Sequence, residues 1–196
     1  IADLDFPKVE RAKLKNGMTL VYSRRTAVPR TQISLSFDAG FVADPKGKLG
    51  TQSLMLALMD EGTSTLSSTQ LAEAQERLGA SISTGASLDR TSVSLSTLSA
   101  NLKPALALFS DVVLNPAFDA GEVERLRNQQ LARISAELTQ PEGLAGRALP
   151  PILFGPNHPY AIPGNGTGDP ATVKSLTRDE LIAFHKAWLR PEKGTF

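Results

Sequence analysis

The sequence contains no cysteine. Disulfides, thiolate nucleophiles and cysteine-based metal sites are therefore excluded, although the compartment is left open by this fact alone. Histidine is scarce. His158 and His185 are the only two, and neither has an acidic or thiol partner at metal-ligand spacing. An excess of one charge sign is also missing. Lys and Arg number 21 against 20 Asp and Glu, interleaved along the chain, so nothing points to nucleic acid or an anionic membrane. No window approaches the ~20 apolar residues of a membrane span. No G-x-S-x-G elbow occurs, which argues against a serine-hydrolase triad.

What is present is a chain of 196 residues, 41% hydrophobic and 21% charged, enough for one well-cored domain. It opens Ile1-Ala2-Asp3, with no initiator Met, basic start or apolar signal region. It closes Arg190-Pro191-Glu192-Lys193-Gly194-Thr195-Phe196, which reads as the approach to another strand. The expectation is one domain over residues 1–196, part of a longer polypeptide.

Periodicity divides the chain. Asn16-Gly17 between two short β-type runs signals a hairpin, with Thr19 to Arg24 returning. Ile33, Leu35 and Phe37 alternate with polar residues, the signature of a half-buried strand. The run Leu54 to Met59 predicts a helix apolar nearly all round, stopped by Gly62. Ser67 with Gln70, Asp119 with Glu122, and Thr177 with Glu180 read as capping boxes opening three further helices. Between the first two lie a small, polar strand from Ala80 to Ser87, exposed or bulged at Gly85, and a cleaner one from Thr91 to Leu98. Leu102, Leu106, Phe109 and Val113 suggest the buried stripe of a helix capped by Asn101. Pro141 suits a helix start, and Pro150-Pro151 should end or kink that helix. Residues 154 to 172 read as a long surface loop. Local strands and blocks of helices predict an α+β fold, a largely antiparallel sheet with helices on one face.

Several segments in this order resemble the pitrilysin/insulinase zinc peptidase family, which includes mitochondrial processing peptidases and the core proteins of a respiratory complex. They are Leu14 to Met18, Gly40 to Pro45, Leu78-Gly79-Ala80, Val113 to Pro116, Gly155 to Tyr160 and Phe184 to Pro191. The resemblance implies the fold of processing peptidase domains. It also supplies a reference site. An H-x-x-E-H helix places two imidazoles on one face for zinc, with the Glu as general base, and a Glu on a later helix completes the ligand set. Laid on that frame, Gly50 to Thr63 puts Ser53 and Ala57 at the two His positions and Leu56 at the base. Arg133 falls where the distant Glu would stand, and Leu126 replaces a nearby acidic residue.

The implied function is that of a degenerate, non-catalytic domain. It would close a chamber, contact substrate and assemble with a homologous active half that carries the zinc, and it would itself hold no cofactor. The matching edge strand of active relatives pairs with extended peptide, which points to Ala80, Ser81, Ile82, Ser83, Thr84 and Gly85, although an ordinary polar-blunted edge is the simpler reading. An alternative is a purely structural assembly subunit like the respiratory core proteins. A third, less favoured, is an enzyme with a metal relocated to His158 and His185. Export is common among bacterial relatives, and the compartment stays open. Asp60-Glu61 reads as a solvated helix end, Gly164 to Gly168 as a flexible loop without phosphate-loop chemistry, and Arg90 and Arg147 as surface charges.

Overall fold

Short hairpins lay down most of the sheet. The computed structural model describes residues 7–196, so the opening Ile1-Ala2-Asp3 lies outside the described residues. Strands β1 (Val9–Lys13) and β2 (Thr19–Ser23) pair antiparallel around the Asn16-Gly17 turn. The Asn16 side chain accepts from the Met18 amide at 3.2 Å, and Gly17 has φ +88, a conformation that glycine adopts at little cost. Strand β3 (Arg30–Phe37) pairs with β5 (Thr91–Leu98), and β5 with β4 (Ser81–Ala86), both antiparallel. A two-residue strand, β6 (Gly194–Thr195), fits between β2 and β3. The order is β1-β2-β6-β3-β5-β4, and among the described residues only the β2–β6 contact is parallel. The expected approach to a strand at the end of the sequence is thus a strand in the middle of the sheet.

Alternation sorts the two faces. Ile33, Leu35, Phe37, Val93, Leu95 and Ile82 are buried. The opposite face carries Ser34, Ser36, Ser92, Ser94, Ser96, Ser81 and Ser83, in register across the three strands. Helices cover only the apolar face, so the molecule is α+β as the sequence implied. Helix α1 (Thr51–Met59) supplies Leu54, Met55, Leu58 and Met59, all at most 1% exposed. Burying each contributes roughly 1.5–3 kcal/mol. Around it stand α2 (Ser68–Leu78), α3 (Leu102–Leu114), α4 (Ala120–Leu138), α5 (Pro141–Phe154), α6 (Pro170–Ser175) and α7 (Arg178–Trp188).

The boxes at Ser67–Gln70 and Thr177–Glu180 form as expected. Four details differ. Asp119 caps α4 through the Gly121 and Glu122 amides, but the Glu122 carboxylate turns to Arg125 instead of closing a box. Asn101 does not cap α3; its amide donates to the Leu78 carbonyl at 2.9 Å. The buried stripe of α3 is Ala105, Leu108, Phe109, Val112 and Val113, with Leu106 exposed. Pro150 and Pro151 lie inside α5, which continues to Phe154. They remove amide donors on a helix with no buried residue, and bonding resumes where the Gly155 amide reaches the Pro151 carbonyl at 3.0 Å.

Candidate functional site

The start of α1 is built from outside its own sequence. Gly50, at its N-cap, has φ +101 and no side chain to offer. The Asp44 carboxylate reaches in from six residues upstream and accepts from the Gly50 and Gln52 amides, both at 2.7 Å. Burial pushes the Asp44 carboxyl up to about 6, against the pull of those amides. Buried Gln52 donates to the Ala39 carbonyl at 3.1 Å and to the Thr91 hydroxyl, fastening α1 to β5.

One helical turn along, Ser53 and Ala57 share a face, as i and i+4 residues must. The Ser53 hydroxyl donates to the Gly166 carbonyl at 2.7 Å. Ala57 is half-buried against the core, and Leu56 is a 5%-exposed member of it. From α4, Gln130 and Ile134 are the buried residues of this region, while Arg133 is exposed. The Gln130 amide donates to the Gly50 carbonyl at 3.2 Å and the Thr167 carbonyl at 2.8 Å. These residues do not fit a zinc ion. A hydroxyl committed to a carbonyl, two hydrocarbon side chains and a guanidinium offer no ligand set. Among the described residues no group of three or more His, Cys, Asp or Glu is placed to hold a metal.

The segment expected to be a flexible surface loop is the lid of this arrangement. Gly166, Thr167 and Gly168 are buried. Gly166 has φ +69, and a Cβ there would run into the Phe41 ring; Gly168 has φ +82 against Gly50. Only glycine satisfies both the backbone and the space. The Glu137–Arg147 pair holds the loop. Arg147 donates to Glu137 at 2.7 Å, to the Gly168 carbonyl at 2.7 Å and to the Thr167 hydroxyl at 2.8 Å. Asn165 donates to the other Glu137 oxygen at 2.8 Å. Arg147 is therefore a half-buried clamp. The alternating glycines were the signal for this loop; their close approach to Phe41 and Gly50 was not readable from spacing. The loop also runs into α6, which the sequence reading left out.

Strand β4 is the sheet edge. Among the described residues it pairs with β5 alone, and on its other edge the Ile82 amide donates to the Gln75 side-chain oxygen at 2.8 Å, which leaves the edge without a strand partner from Thr84 onward. No bulge occurs at Gly85, which pairs in register with Ser92. Ala80 precedes the strand, its amide bonded to the Gln75 carbonyl. Ser81 and Ser83 face solvent, Ile82 is buried, and the Thr84 hydroxyl donates to the Leu56 carbonyl at 3.4 Å. The edge thus lies directly against the turn of α1 that carries Leu56.

The two histidines are committed elsewhere. His185 is buried, donates from Nε2 to the Val113 carbonyl at 2.9 Å and meets Phe118 edge-on. Burial lowers its pKa, an effect opposed by that bond. His158 stacks on Phe154 and accepts the Tyr160 amide on Nδ1 at 3.1 Å. Arg90 pairs with Asp38 at 3.3 Å on the surface. Glu61 at the end of α1 is held by Arg125 at 2.6 Å, and burial raises the neighbouring Asp60 carboxyl.

Comparison with known proteins fits this geometry. The profile described as Insulinase (Peptidase family M16) matches residues 19–158, well over half the chain. An uncharacterized zinc protease of Mycobacterium leprae is 27% identical over 93% of this chain and 40% of its own length. A non-peptidase homolog of Helicobacter pylori is 24% identical over 83% of this chain and 37% of its own length. Among solved structures, the peptidase M16 inactive domain from Pseudomonas fluorescens superposes with a TM-score of 0.86 at 32% identity, over 91% of this chain and 43% of that one. The chain therefore spans about two fifths of the length of these relatives. On the profile match, carried by the same sheet and helices described above, the chain belongs to the insulinase family, peptidase family M16.

Proposed function

We propose that this chain is a non-catalytic domain, residues 1–196, of a longer family M16 zinc endopeptidase. In this reading it closes a chamber with a homologous half that carries the zinc, and it contacts peptide substrate there. The observation that carries the proposal is the closed face of α1. Ser53 is bonded to Gly166, Leu56 is packed in the core, and Ala57 and Arg133 supply no ligand. A buried carboxylate or imidazole without its metal would cost several kcal/mol, on the order of 2–7. Hydrocarbon and a backbone-bonded hydroxyl remove that cost, which is the chemistry of a repacked site. Relatives more than twice as long support a second domain. The inactive-domain and non-peptidase names of two relatives support the absence of catalysis.

Substrate contact is assigned to Ala80, Ser81, Ile82, Ser83, Thr84 and Gly85. An extended peptide adding to the outer edge of β4, in place of the Gln75 side chain at the Ile82 amide, would be held by main-chain bonds, which need small neighbours and no special side chains. The test is reconstitution with the active half. The isolated chain is expected to hydrolyse no peptide and to bind no zinc by calorimetry. Adding it to the active half should raise peptide turnover, and a proline at Thr84, whose amide points away from β5 as that of Ile82 does, should reduce that gain. Unchanged turnover with and without this domain would remove it from the reaction and leave the structural-subunit reading.

A further inference from the structure

Two Asn-Gly pairs occur in the chain, and the fold treats them differently. In such a pair the backbone nitrogen after asparagine can approach the side-chain carbonyl carbon, because glycine has no Cβ to obstruct it. The first pair, Asn16-Gly17, turns the β1–β2 ribbon. Asn16 is exposed, and its Oδ1 accepts from the Met18 amide at 3.2 Å. Among the described residues its Nδ2 has no partner. The Gly17 amide donates to the Leu14 carbonyl at 2.9 Å, and no atom lies within 4 Å of where a Cβ would stand. The second pair, Asn165-Gly166, is fastened at both ends of the asparagine side chain. Its Nδ2 donates to Glu137 at 2.8 Å, and its Oδ1 accepts from the Thr167 amide at 3.2 Å and the Thr167 hydroxyl at 3.0 Å. Gly166 is buried against Phe41, its amide donating to the Pro163 carbonyl at 3.1 Å. Turning toward the next nitrogen costs Asn165 all of its side-chain bonds and displaces a buried loop.

We infer that Asn16 is a site of spontaneous deamidation in the folded protein, and that Glu137 and Thr167 shield Asn165 from the same reaction. The Gly17 nitrogen gives its proton to solvent and bonds to the Asn16 side-chain carbonyl carbon. The bond from that carbon to Nδ2 breaks, and the nitrogen takes up a proton and leaves as ammonia. The cyclic imide so formed adds water. Opening at one carbonyl gives an ordinary aspartate. Opening at the other gives an isoaspartate, in which the main chain runs through the former side chain. Nothing is oxidised or reduced, and water is the only co-reactant. Either product carries a carboxylate in place of a neutral amide, which cancels the formal net charge of +1. Exposed Lys15 beside it favours the new charge. The isoaspartate also lengthens the main chain by one carbon inside the turn that sets Lys13 opposite Thr19. The tip of the ribbon therefore loosens as the protein ages, while the loop over α1 does not.

This inference does not require the chamber reading, and its test omits the active half. The chain is incubated at neutral pH in buffer and, in parallel, in urea. Peptides are followed by mass spectrometry, with fragmentation that separates aspartate from isoaspartate, and isoelectric focusing follows the lost charge. Amide exchange at Val93 and Leu95 reports an intact core. In urea the two Asn-Gly pairs are expected to convert at similar rates. In buffer Asn16 is expected to convert at least about tenfold faster than Asn165, because more hydrogen bonds, one of them to a carboxylate, must open together at Asn165. Glu137→Ala should speed conversion at Asn165 by about tenfold or more and leave Asn16 unchanged. Asn16 unmodified in buffer while it converts in urea, with the core amides protected, would overturn the site. Equal rates at the two pairs in the folded parent chain, or an Asn165 rate unmoved by Glu137→Ala, would overturn the shield.

Discussion

Replacing Glu137 with alanine tests whether the loop over α1 is held by its ion pair or by packing alone. Glu137 and Arg147 are 16% and 15% exposed at their side chains, and their closest contact is 2.7 Å. Exposed pairs contribute about 0–1 kcal/mol, whereas breaking a fully buried one costs about 3–5 kcal/mol because the survivor is stranded. At this exposure the expected loss is about 2–3 kcal/mol. It includes the acceptor for the Thr167 hydroxyl at 3.1 Å and for the Asn165 amide at 2.8 Å. For a chain of this length that corresponds to a Tm lower by roughly 5–10 °C. Urea unfolding of Glu137→Ala, Arg147→Met and the double variant gives the coupling energy, expected at about 1–2 kcal/mol. Amide exchange at Thr167 and Gly168 should quicken in Glu137→Ala before global unfolding does. A midpoint within about 1 °C of the parent chain, or a loss with no loosening of residues 165–168, would refute the reasoning.

Two further outcomes follow from the same region. Asp44 has its folded-state pKa raised to about 6 from 3.8, so the folded chain holds its proton more tightly. The stability this brings is fully present below about pH 4 and is lost as pH rises through 6, on the order of 3 kcal/mol in all. The parent chain minus Asp44→Asn, followed by urea unfolding from pH 4 to 7, should show that slope; a flat difference contradicts it. His185, with its pKa lowered, acts in the opposite sense, costing stability as pH falls below 6.5, and cancels in this comparison. Gly166→Ala forces a Cβ against Phe41 at φ +69 and should cost roughly 2–4 kcal/mol. Gly164→Ala, where nothing lies within 4 Å, serves as its control, and equal losses would show that the Phe41 contact is unimportant.

What the sequence made legible was local chemistry. The Ser67 and Thr177 boxes, the Asn16-Gly17 hairpin and the alternation of β3 and β5 each depend on residues within a few positions, and each formed. The helix from Leu54 to Met59 was readable because a run apolar on every side can only be buried. The misreadings involve partners distant in sequence. Asn101 left its cap for a carbonyl of α2, Asp44 took over the start of α1, and the glycine-rich loop was buried by Gln130, Arg147 and Phe41. On α3 the i+4 rule chose Leu106, whereas the face toward β5 runs one residue earlier, through Ala105, Leu108 and Val112. The motif positions were readable only through family resemblance. Spacing alone places Ser53 and Ala57 on one face but says nothing of Gly166, which occupies the Ser53 hydroxyl.

The position of β6 also bears on how the chain assembles. The β1–β2 ribbon is made of neighbouring residues and can form on its own within microseconds. Among the described residues its only strand contact with the rest of the sheet runs through residues 194–196, far along the chain. During synthesis the ribbon leaves the ribosome some 170 residues before the segment that docks it. Until then β3 presents a bare inner edge next to a loose two-stranded ribbon. That interval is when a second nascent copy, lending its own ribbon, would produce a swapped dimer, so slow late docking and swapping are two results of one connection.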